Sequence, residues 1–223
     1  NWHDLMTEVE GPVVNDILDE FNRAWTAESF MGGLRTLFWQ QQPRPPVNDD
    51  EYHPVRILYT KPGKSQILHA QIEAIRQARQ QILLENAYLT SDEIIYELAR
   101  ARRRGVDVRV IIPYEIDSGI INRSNIIAAN NMLKNGIRVY IYPGMSHVKA
   151  AIYDGWACLG SANFDNLSLR INKELNLATS DATAVNRLQE QVFLPDMERS
   201  VELTEPLPDN WLDHLAELLA DSM

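Results

Sequence analysis

The sequence predicts an α/β fold in which helices pack on a β-sheet. Between residues 55 and 142, short apolar segments with strand character alternate with longer segments whose apolar residues recur at helical spacing. Such alternation is typical of layered α/β domains. After Tyr142 the alternation ends, and short strand-like segments follow one another without helices between them.

The first predicted element is a helix over residues 12–25, where apolar residues recur at helical spacing. Three prolines among the polar residues 40–50 predict a linker, which we place at residues 28–53. The aromatic segment from Phe30 to Trp39 is expected to pack against the main domain or another part of the protein. Contact with a membrane interface is the alternative.

The main body begins near Val55. Thr90 and Glu93 have the spacing of a capping box, which predicts the start of a helix, and Gly105 is expected to end it. In this part of the chain the predicted strands are 55–59, 81–84, 106–110 and 137–142, and the predicted helices are 65–80, 90–104 and 124–135.

Three further strands are predicted after Tyr142, at residues 147–153, 156–159 and 175–178. Asp154 and Gly155 are expected to form the tight turn between the first two. Helices are predicted at about 182–193 and 210–219. We therefore expect one domain over residues 54–200 and a C-terminal segment, 201–223, whose helix packs on it.

The composition indicates an acidic globular protein. The 223 residues include 31 acidic and 21 basic side chains, which gives a formal net charge of −10. Proteins that bind nucleic acid usually carry a basic excess, so nucleic acid is not the expected main partner, although a local positive pocket can exist in an acidic body. No apolar run approaches the ~20 residues that cross a bilayer. We expect a cytoplasmic or peripheral membrane location.

The most informative residues lie on the predicted hairpin. Alternate residues of a strand project to the same face, so His147 and Lys149 should lie side by side. Ser161 and Asn163 follow the neighbouring strand and would share a face if the backbone stays extended. The hairpin would then bring an imidazole, an ammonium, a hydroxyl and an amide to one sheet edge. This set suits an anionic phosphodiester.

These residues carry a resemblance to a known family. The pattern H-x-K-x4-D followed by G-S-x-N resembles the HKD signature of the phospholipase D (PLD) superfamily. The resemblance implies a PLD-like α-β-α sandwich, in which a mixed sheet is flanked by helices, with one HKD half in this chain. The matching residues are His147, Lys149, Asp154, Gly160, Ser161 and Asn163.

The resemblance also implies roles for these residues. Enzymes of this family use two HKD motifs: one histidine attacks phosphorus, and the other protonates the leaving alcohol. It implies that His147 is the general acid, that Glu174 orients it, and that Lys149 and Asn163 offset phosphoryl charge. Ser161 is a further catalytic candidate. Asp154 belongs to the motif, but its place in the hairpin turn indicates a structural role.

No cofactor or metal is implied. The remaining histidines lack the spacing of metal ligands, and they are His3, His53, His69 and His214.

The chain contains a single His-x-Lys pair. Residues 82–112 resemble the C-terminal half of bacterial phosphatidylserine and cardiolipin synthase-like enzymes, and the opening from Trp2 to Val13 resembles the end of their first half. One interpretation is that a first half precedes Asn1, with residues 1–27 as its tail. The other is that two chains pair about a twofold axis. The opening favours the first interpretation.

The leading hypothesis is hydrolysis or transfer of a phosphatidyl group through a phosphohistidine, with a phospholipid as substrate and a second HKD half as partner. One alternative is a metal-independent, homodimeric PLD-like nuclease. The other is a non-catalytic half that supports another site.

Overall fold

The computed structural model describes residues 2–28, 54–114 and 119–207. Most of the predicted linker 28–53, with the aromatic segment Phe30–Trp39, lies outside the described residues. The predicted helix at 210–219 also lies outside them.

Across the described residues, nine strands form a single mixed sheet in the order β2-β1-β8-β7-β6-β3-β4-β5-β9. The pairs β3–β4 and β4–β5 are parallel, and the other pairs are antiparallel. The strands are β1 Val55–Lys61, β2 Lys64–Ser65, β3 Gln81–Asn86, β4 Asp107–Pro113, β5 Arg138–Tyr142, β6 Lys149–Tyr153, β7 Trp156–Gly160, β8 Glu174–Thr179 and β9 Val201–Glu202.

Helices cover both faces of this sheet. The helices are α1 Val13–Glu28, α2 Gln66–Gln77, α3 Asp92–Arg103, α4 Gly119–Lys134, α5 Asn166–Arg170, α6 Ala182–Leu188 and α7 Leu194–Arg199, with a π-helical turn at Gln189–Phe193 between the last two. None of the helices among the described residues is long and apolar enough to cross a membrane.

Two apolar cores result from this layering. Along β3, Ile82 and Leu84 pack with α2, α3 and α4, whereas Leu83 faces the other core with Phe193 and α6. Alternate strand residues point to opposite faces, so a strand buried on both sides consists of consecutive apolar residues. The predicted α-β-α sandwich with a mixed sheet is confirmed.

Three local predictions were wrong. The helix predicted from residue 124 begins at Gly119. The helix α5 lies between β7 and β8, where no helix was expected; its five residues are too few for periodicity to detect. The capping box is also absent: Ser91 occupies the N-cap without a side-chain hydrogen bond. Instead, the backbone N–H groups of Thr90 and Ser91 donate to the Phe164 carbonyl at 2.9 and 2.8 Å.

The end of α3 agrees with the prediction. Gly105 has a φ of +94°, in the left-handed region that glycine adopts without strain.

Candidate active site

The hairpin β6–β7 presents the motif. Tyr153 pairs with Trp156, which leaves Asp154 and Gly155 as a two-residue turn. His147 precedes β6 and Asp154 follows it, so these residues lie at opposite ends of the strand.

Asp154 fixes this hairpin to the start of β3. Its carboxylate accepts hydrogen bonds from the backbone N–H groups of Arg79, Gln80 and Gln81 at 2.8, 3.0 and 2.8 Å. Partial burial opposes ionisation, but these N–H groups outweigh it and hold the pKa of Asp154 below its ordinary value. The structure therefore places this motif residue in a structural position, away from His147.

At the other end of β6, a cavity of about 280 Å³ is lined by His147, Lys149 and Ser161. Asp4 and Leu5 of the N-terminal segment close one side of it, and Leu159, Leu175 and Leu177 contribute apolar surface. The structure thus brings together three of the predicted site residues, with an imidazole, an ammonium and a hydroxyl at a single opening.

His147 is held by the N-terminal segment. Its backbone N–H donates to the His3 carbonyl at 2.7 Å, and the His3 N–H donates to the Met145 carbonyl at 3.1 Å. The Asp4 Oδ2 atom lies 3.4 Å from the His147 Nδ1 atom. The His147 side chain is 40% exposed. A carboxylate at Nδ1 favours the tautomer that leaves Nε2 available for proton transfer.

Lys149 is buried beneath the cavity. Its Nζ atom donates to the His147 carbonyl at 2.8 Å. Burial lowers the pKa of Lys149, whereas the charges of Asp4 and Glu174 act in the opposite direction. The ammonium is largely shielded from water, so an anion that enters the cavity would interact with it more strongly than with a surface lysine.

Glu174 contacts Ser161 in this structure, and the carboxylate beside His147 is that of Asp4. The Ser161 hydroxyl donates to Glu174 Oε2 at 2.5 Å and accepts from the Leu175 N–H at 3.0 Å. Asn172 donates to Glu174 Oε1 at 3.3 Å. Glu174 therefore holds the serine, and the described hydrogen bonds do not include one between Glu174 and His147.

Asn163 lines a second cavity, of about 410 Å³, together with Thr90, Asn172 and other polar residues. The strand β7 ends at Gly160, and the loop that carries Asn163 is held by hydrogen bonds from the Ala162 and Phe164 N–H groups to Asn176 on β8 and Asn86 on β3. The structure therefore does not bring Asn163 into the first cavity. Its Oδ1 atom is buried without a hydrogen-bond partner.

Two buried asparagines shape the loop between the cavities. Asn176 Oδ1 accepts from the Ala162 N–H at 3.1 Å, and Asn86 Oδ1 accepts from the Phe164 N–H at 3.1 Å. Burial of unpaired amide groups is costly, so these contacts favour one loop conformation. Sequence reasoning did not assign Asn176 a role, because an asparagine within an apolar strand gives no indication of its partner.

A family model described as cardiolipin synthase, PLD-like domain, matches residues 71–193, which is more than half of the chain. The chain belongs to this family. The predicted membership of the PLD superfamily is thereby confirmed.

Two curated relatives of this PLD-like chain carry the same name. Cardiolipin synthase A of Pectobacterium carotovorum is 30% identical over 191 residues, which cover 81% of this chain and 38% of that protein. Cardiolipin synthase A of Pseudomonas entomophila is 30% identical over 213 residues, 91% of this chain and 42% of that protein. The chain thus spans about two fifths of the length of these relatives.

Solved structures support the PLD-like fold. The phospholipase D family member Nuc from Salmonella typhimurium superposes with a TM-score of 0.60 at 23% identity, covering 68% of this chain and 98% of that one. The phosphatidylserine synthase of Haemophilus influenzae gives a TM-score of 0.58 at 13% identity, covering 84% of this chain and 51% of that one. Both are similar to this chain in fold.

Proposed function

We propose that this PLD-like domain supplies one half of an active site that transfers the phosphatidyl group of a phospholipid through a phosphohistidine. The observation that carries the proposal is the shared cavity of His147, Lys149 and Ser161, with Asp4 against the Nδ1 atom of the histidine. Membership of the cardiolipin synthase, PLD-like family supports a phospholipid as the substrate class.

In the proposed reaction, a histidine of the second half attacks phosphorus, and the bond from phosphorus to the leaving alcohol breaks. His147 gives its Nε2 proton to that alcohol as it leaves. An acceptor hydroxyl then attacks the phosphohistidine, gives its proton back to His147, and takes the phosphatidyl group. Atoms and protons balance over the two steps, and both histidines return to their starting states.

Lys149 is the proposed partner of the phosphoryl oxygens. Charge on the non-bridging oxygens has to be offset in the transition state, and a preorganised donor typically contributes roughly 3–4 kcal/mol to this. The Lys149 ammonium is already held by the His147 carbonyl. Little reorganisation is needed when the anionic group enters. Ser161 would have to turn its single hydroxyl proton away from Glu174 in order to donate to a phosphoryl oxygen.

The second catalytic histidine has to come from a second HKD motif, because this chain contains a single His-x-Lys pair. A preceding half, of which residues 1–27 would be the tail, is the favoured source, and a second copy of the chain is the alternative. The relatives named cardiolipin synthase A support the first, because they extend well beyond the matched part. The pairing of His3 and Asp4 with the motif loop also supports it, because the tail is then part of the active-site wall.

The second cavity is the proposed position of the distal part of the acceptor alcohol, whose attacking hydroxyl has to reach His147 in the first cavity. Most of the residues that line the second cavity carry a hydroxyl or an amide among apolar surface, which suits a polyol such as a glycerol headgroup. It is linked to the first cavity by hydrogen bonds from Asn172 through Glu174 to Ser161. Because such substrates reside in a bilayer, we propose that the protein acts at a bacterial membrane surface.

Mass spectrometry of lipid products tests the proposal. The chain, alone and within its natural polypeptide, is incubated with phosphatidylglycerol vesicles, with and without added glycerol. Cardiolipin should form, and added glycerol should suppress it by returning the phosphatidyl group to glycerol. His147→Ala should abolish both reactions, whereas the exposed control His69→Ala should not.

Plasmid DNA provides the comparison for the nuclease alternative. Plasmid nicking that depends on His147, together with no conversion of phosphatidylglycerol to products, would contradict the phospholipid proposal. Lipid turnover that is unaffected by His147→Ala would favour the non-catalytic alternative.

A further inference from the structure

Behind the active-site wall, His3, Glu85 and Asp196 meet from three parts of the fold. His3 belongs to the N-terminal segment, Glu85 to β3 and Asp196 to α7. One potential ligand atom from each lies within 4.8 Å of those of the other two. The spacing of the histidines in the sequence gave no indication of this cluster, because the three residues are far apart along the chain.

The cluster lies almost entirely within the protein. Glu85 and Asp196 are 0% and 1% exposed, and the His3 side chain is 27% exposed. The His3 Nε2 atom lies 2.7 Å from Asp196 Oδ2, and the His3 ring stacks on Tyr142 with 5.1 Å between ring centroids. The imidazole therefore has a fixed orientation and also forms the side of the cluster nearest to solvent.

Glu85 is the incompletely satisfied member. Its Oε1 atom accepts from the Ser146 hydroxyl at 2.5 Å, but no donor lies at its buried Oε2 atom. The Asp196 carboxyl is within hydrogen-bond reach of Glu85, so the two acids can pair only when one of them carries a proton. Asp196 faces His3, which is charged only when protonated, and Arg199, whose Nη1 atom is 4.0 Å from Oδ1 and whose side chain is 62% exposed. Two carboxylates are thus buried with little positive charge to balance them.

A buried pair of carboxylates requires a proton or a cation. Burial, opposed by the Ser146 hydrogen bond and reinforced by the neighbouring Asp196 carboxyl, raises the pKa of Glu85 above its ordinary value. A divalent cation would neutralise both carboxylates and would also give the Oε2 atom of Glu85 a partner.

We propose that His3, Glu85 and Asp196 bind one divalent transition-metal ion of the zinc class. An imidazole nitrogen with two carboxylate oxygens is a ligand set that Zn²⁺ accepts, whereas Mg²⁺ prefers oxygen ligands and retains water. The site is separate from the proposed phosphatidyl transfer, and its occupancy does not depend on that function.

The ion would join the N-terminal segment to the main domain. His3 adjoins Asp4, whose carboxylate lies against His147, and Ser146 adjoins His147 itself. A metal ion at the cluster would therefore hold both the segment and the motif loop in position. Its primary effect would be on stability, because none of the three ligands lines the cavity with His147.

Zinc titration of the untagged, chelator-treated chain tests the proposal. Calorimetry should give one Zn²⁺ per chain, and the midpoint of thermal unfolding should rise with Zn²⁺ concentration but not with equal Mg²⁺. His3→Ala should weaken Zn²⁺ binding by more than the roughly 10- to 100-fold that loss of a supporting contact causes. His69→Ala, at an exposed histidine on α2, should bind like the parent.

Glu85→Gln distinguishes a metal-binding site from a pair of carboxyl groups that share one proton. The amide keeps the shape of the side chain and mimics the protonated acid, so the variant should fold and unfold at or above the temperature of the metal-free parent. It should not bind Zn²⁺ at the parent's affinity. Absence of Zn²⁺ binding by the parent, or equal binding by the parent, His3→Ala and Glu85→Gln, would overturn the proposal.

Discussion

The Asp4 carboxylate lies 3.4 Å from the Nδ1 atom of His147, although 143 positions separate the two residues in the chain. The contact follows from the backbone pairing of His3 with the loop before β6. It joins a segment that resembles the end of one HKD half to the motif of the next. The proposed proton transfer at Nε2 depends on this arrangement, because an acid at Nδ1 fixes the tautomer and orientation of the ring.

Asp4→Asn tests whether Asp4 positions the histidine. Loss of a carboxylate that supports a functional histidine typically lowers activity by about 10- to 100-fold. We expect kcat of phosphatidyl transfer to fall in this range with little change in KM, because the residue acts through His147. Asp4→Glu should restore part of the rate, and the exposed control Glu8→Gln should have none of these effects. Equal kcat values for Asp4→Asn and the parent would exclude the role.

Asp154→Asn tests whether Asp154 has only a structural role. The amide would lose charge-assisted hydrogen bonds to three backbone N–H groups, and we expect a loss of about 1 kcal/mol in the free energy of unfolding, since the site is solvent-exposed. Because the folded-state pKa is lowered, this contribution is present above the ordinary value of 3.8 and is lost as pH falls through the folded value. The kcat of the variant should equal that of the parent.

Urea unfolding at neutral pH and below pH 3.8 measures this difference. A large fall in kcat at unchanged stability would instead make Asp154 part of the catalytic machinery.

Gly160→Ala should disturb the junction of β7 and β8. A Cβ atom at this position would lie 2.3 Å from the backbone carbonyl oxygen of Leu175, which cannot move without breaking the strand pairing. We expect a loss of about 1–3 kcal/mol in the free energy of unfolding. Gly155→Ala is the matched control, because a Cβ atom there meets nothing within 4 Å. Equal stability of the two variants in urea unfolding would contradict the described register.

Lys149→Met tests the burial of the ammonium group through the pH dependence of the unfolding free energy. Burial lowers the folded-state pKa of Lys149 below 10.5, so the folded protein holds the proton less tightly than the unfolded chain. The stability of the parent should therefore rise relative to the variant as pH increases from the lowered value toward 10.5. The difference in unfolding free energy, variant minus parent, should be largest at neutral pH and should fall in alkali.

Lys64→Met, at an exposed lysine, reports the general effect of removing a cation. A difference between Lys149→Met and the parent that stays constant with pH would indicate that the ammonium is better solvated than the structure shows.

The sequence predicted the parts of the site that depend on strand geometry. His147 and Lys149 are two residues apart at the start of a buried strand, and Asp154 and Gly155 form the hairpin turn. Local sequence patterns were therefore sufficient to predict the shared face of the two side chains and the position of the turn. The layered fold was predictable for the same reason. Short apolar segments indicated the strands, and helical periodicity indicated the helices between them.

The features that the sequence did not predict depend on contacts between residues that are distant in the chain. Asp4 is one of 31 acidic residues, and only the folded chain shows that it reaches His147. The position of Asn163 was not predictable, because hydrogen bonds to Asn86 and Asn176 hold the loop after Gly160. The start of α3 depends on the Phe164 carbonyl, which is distant in sequence from Thr90.

A comparison of leaving groups tests the central claim, that His147 donates a proton to the departing alcohol. Removal of a general acid typically costs about 10²- to 10⁴-fold in rate, but a leaving group that needs no proton escapes this loss. We therefore expect His147→Ala to lose turnover of phosphatidylglycerol while it keeps most of the initial cleavage rate with phosphatidyl-p-nitrophenol, in the enzyme that contains both HKD halves. An equal loss with the two substrates would contradict the account, and so would no loss with either.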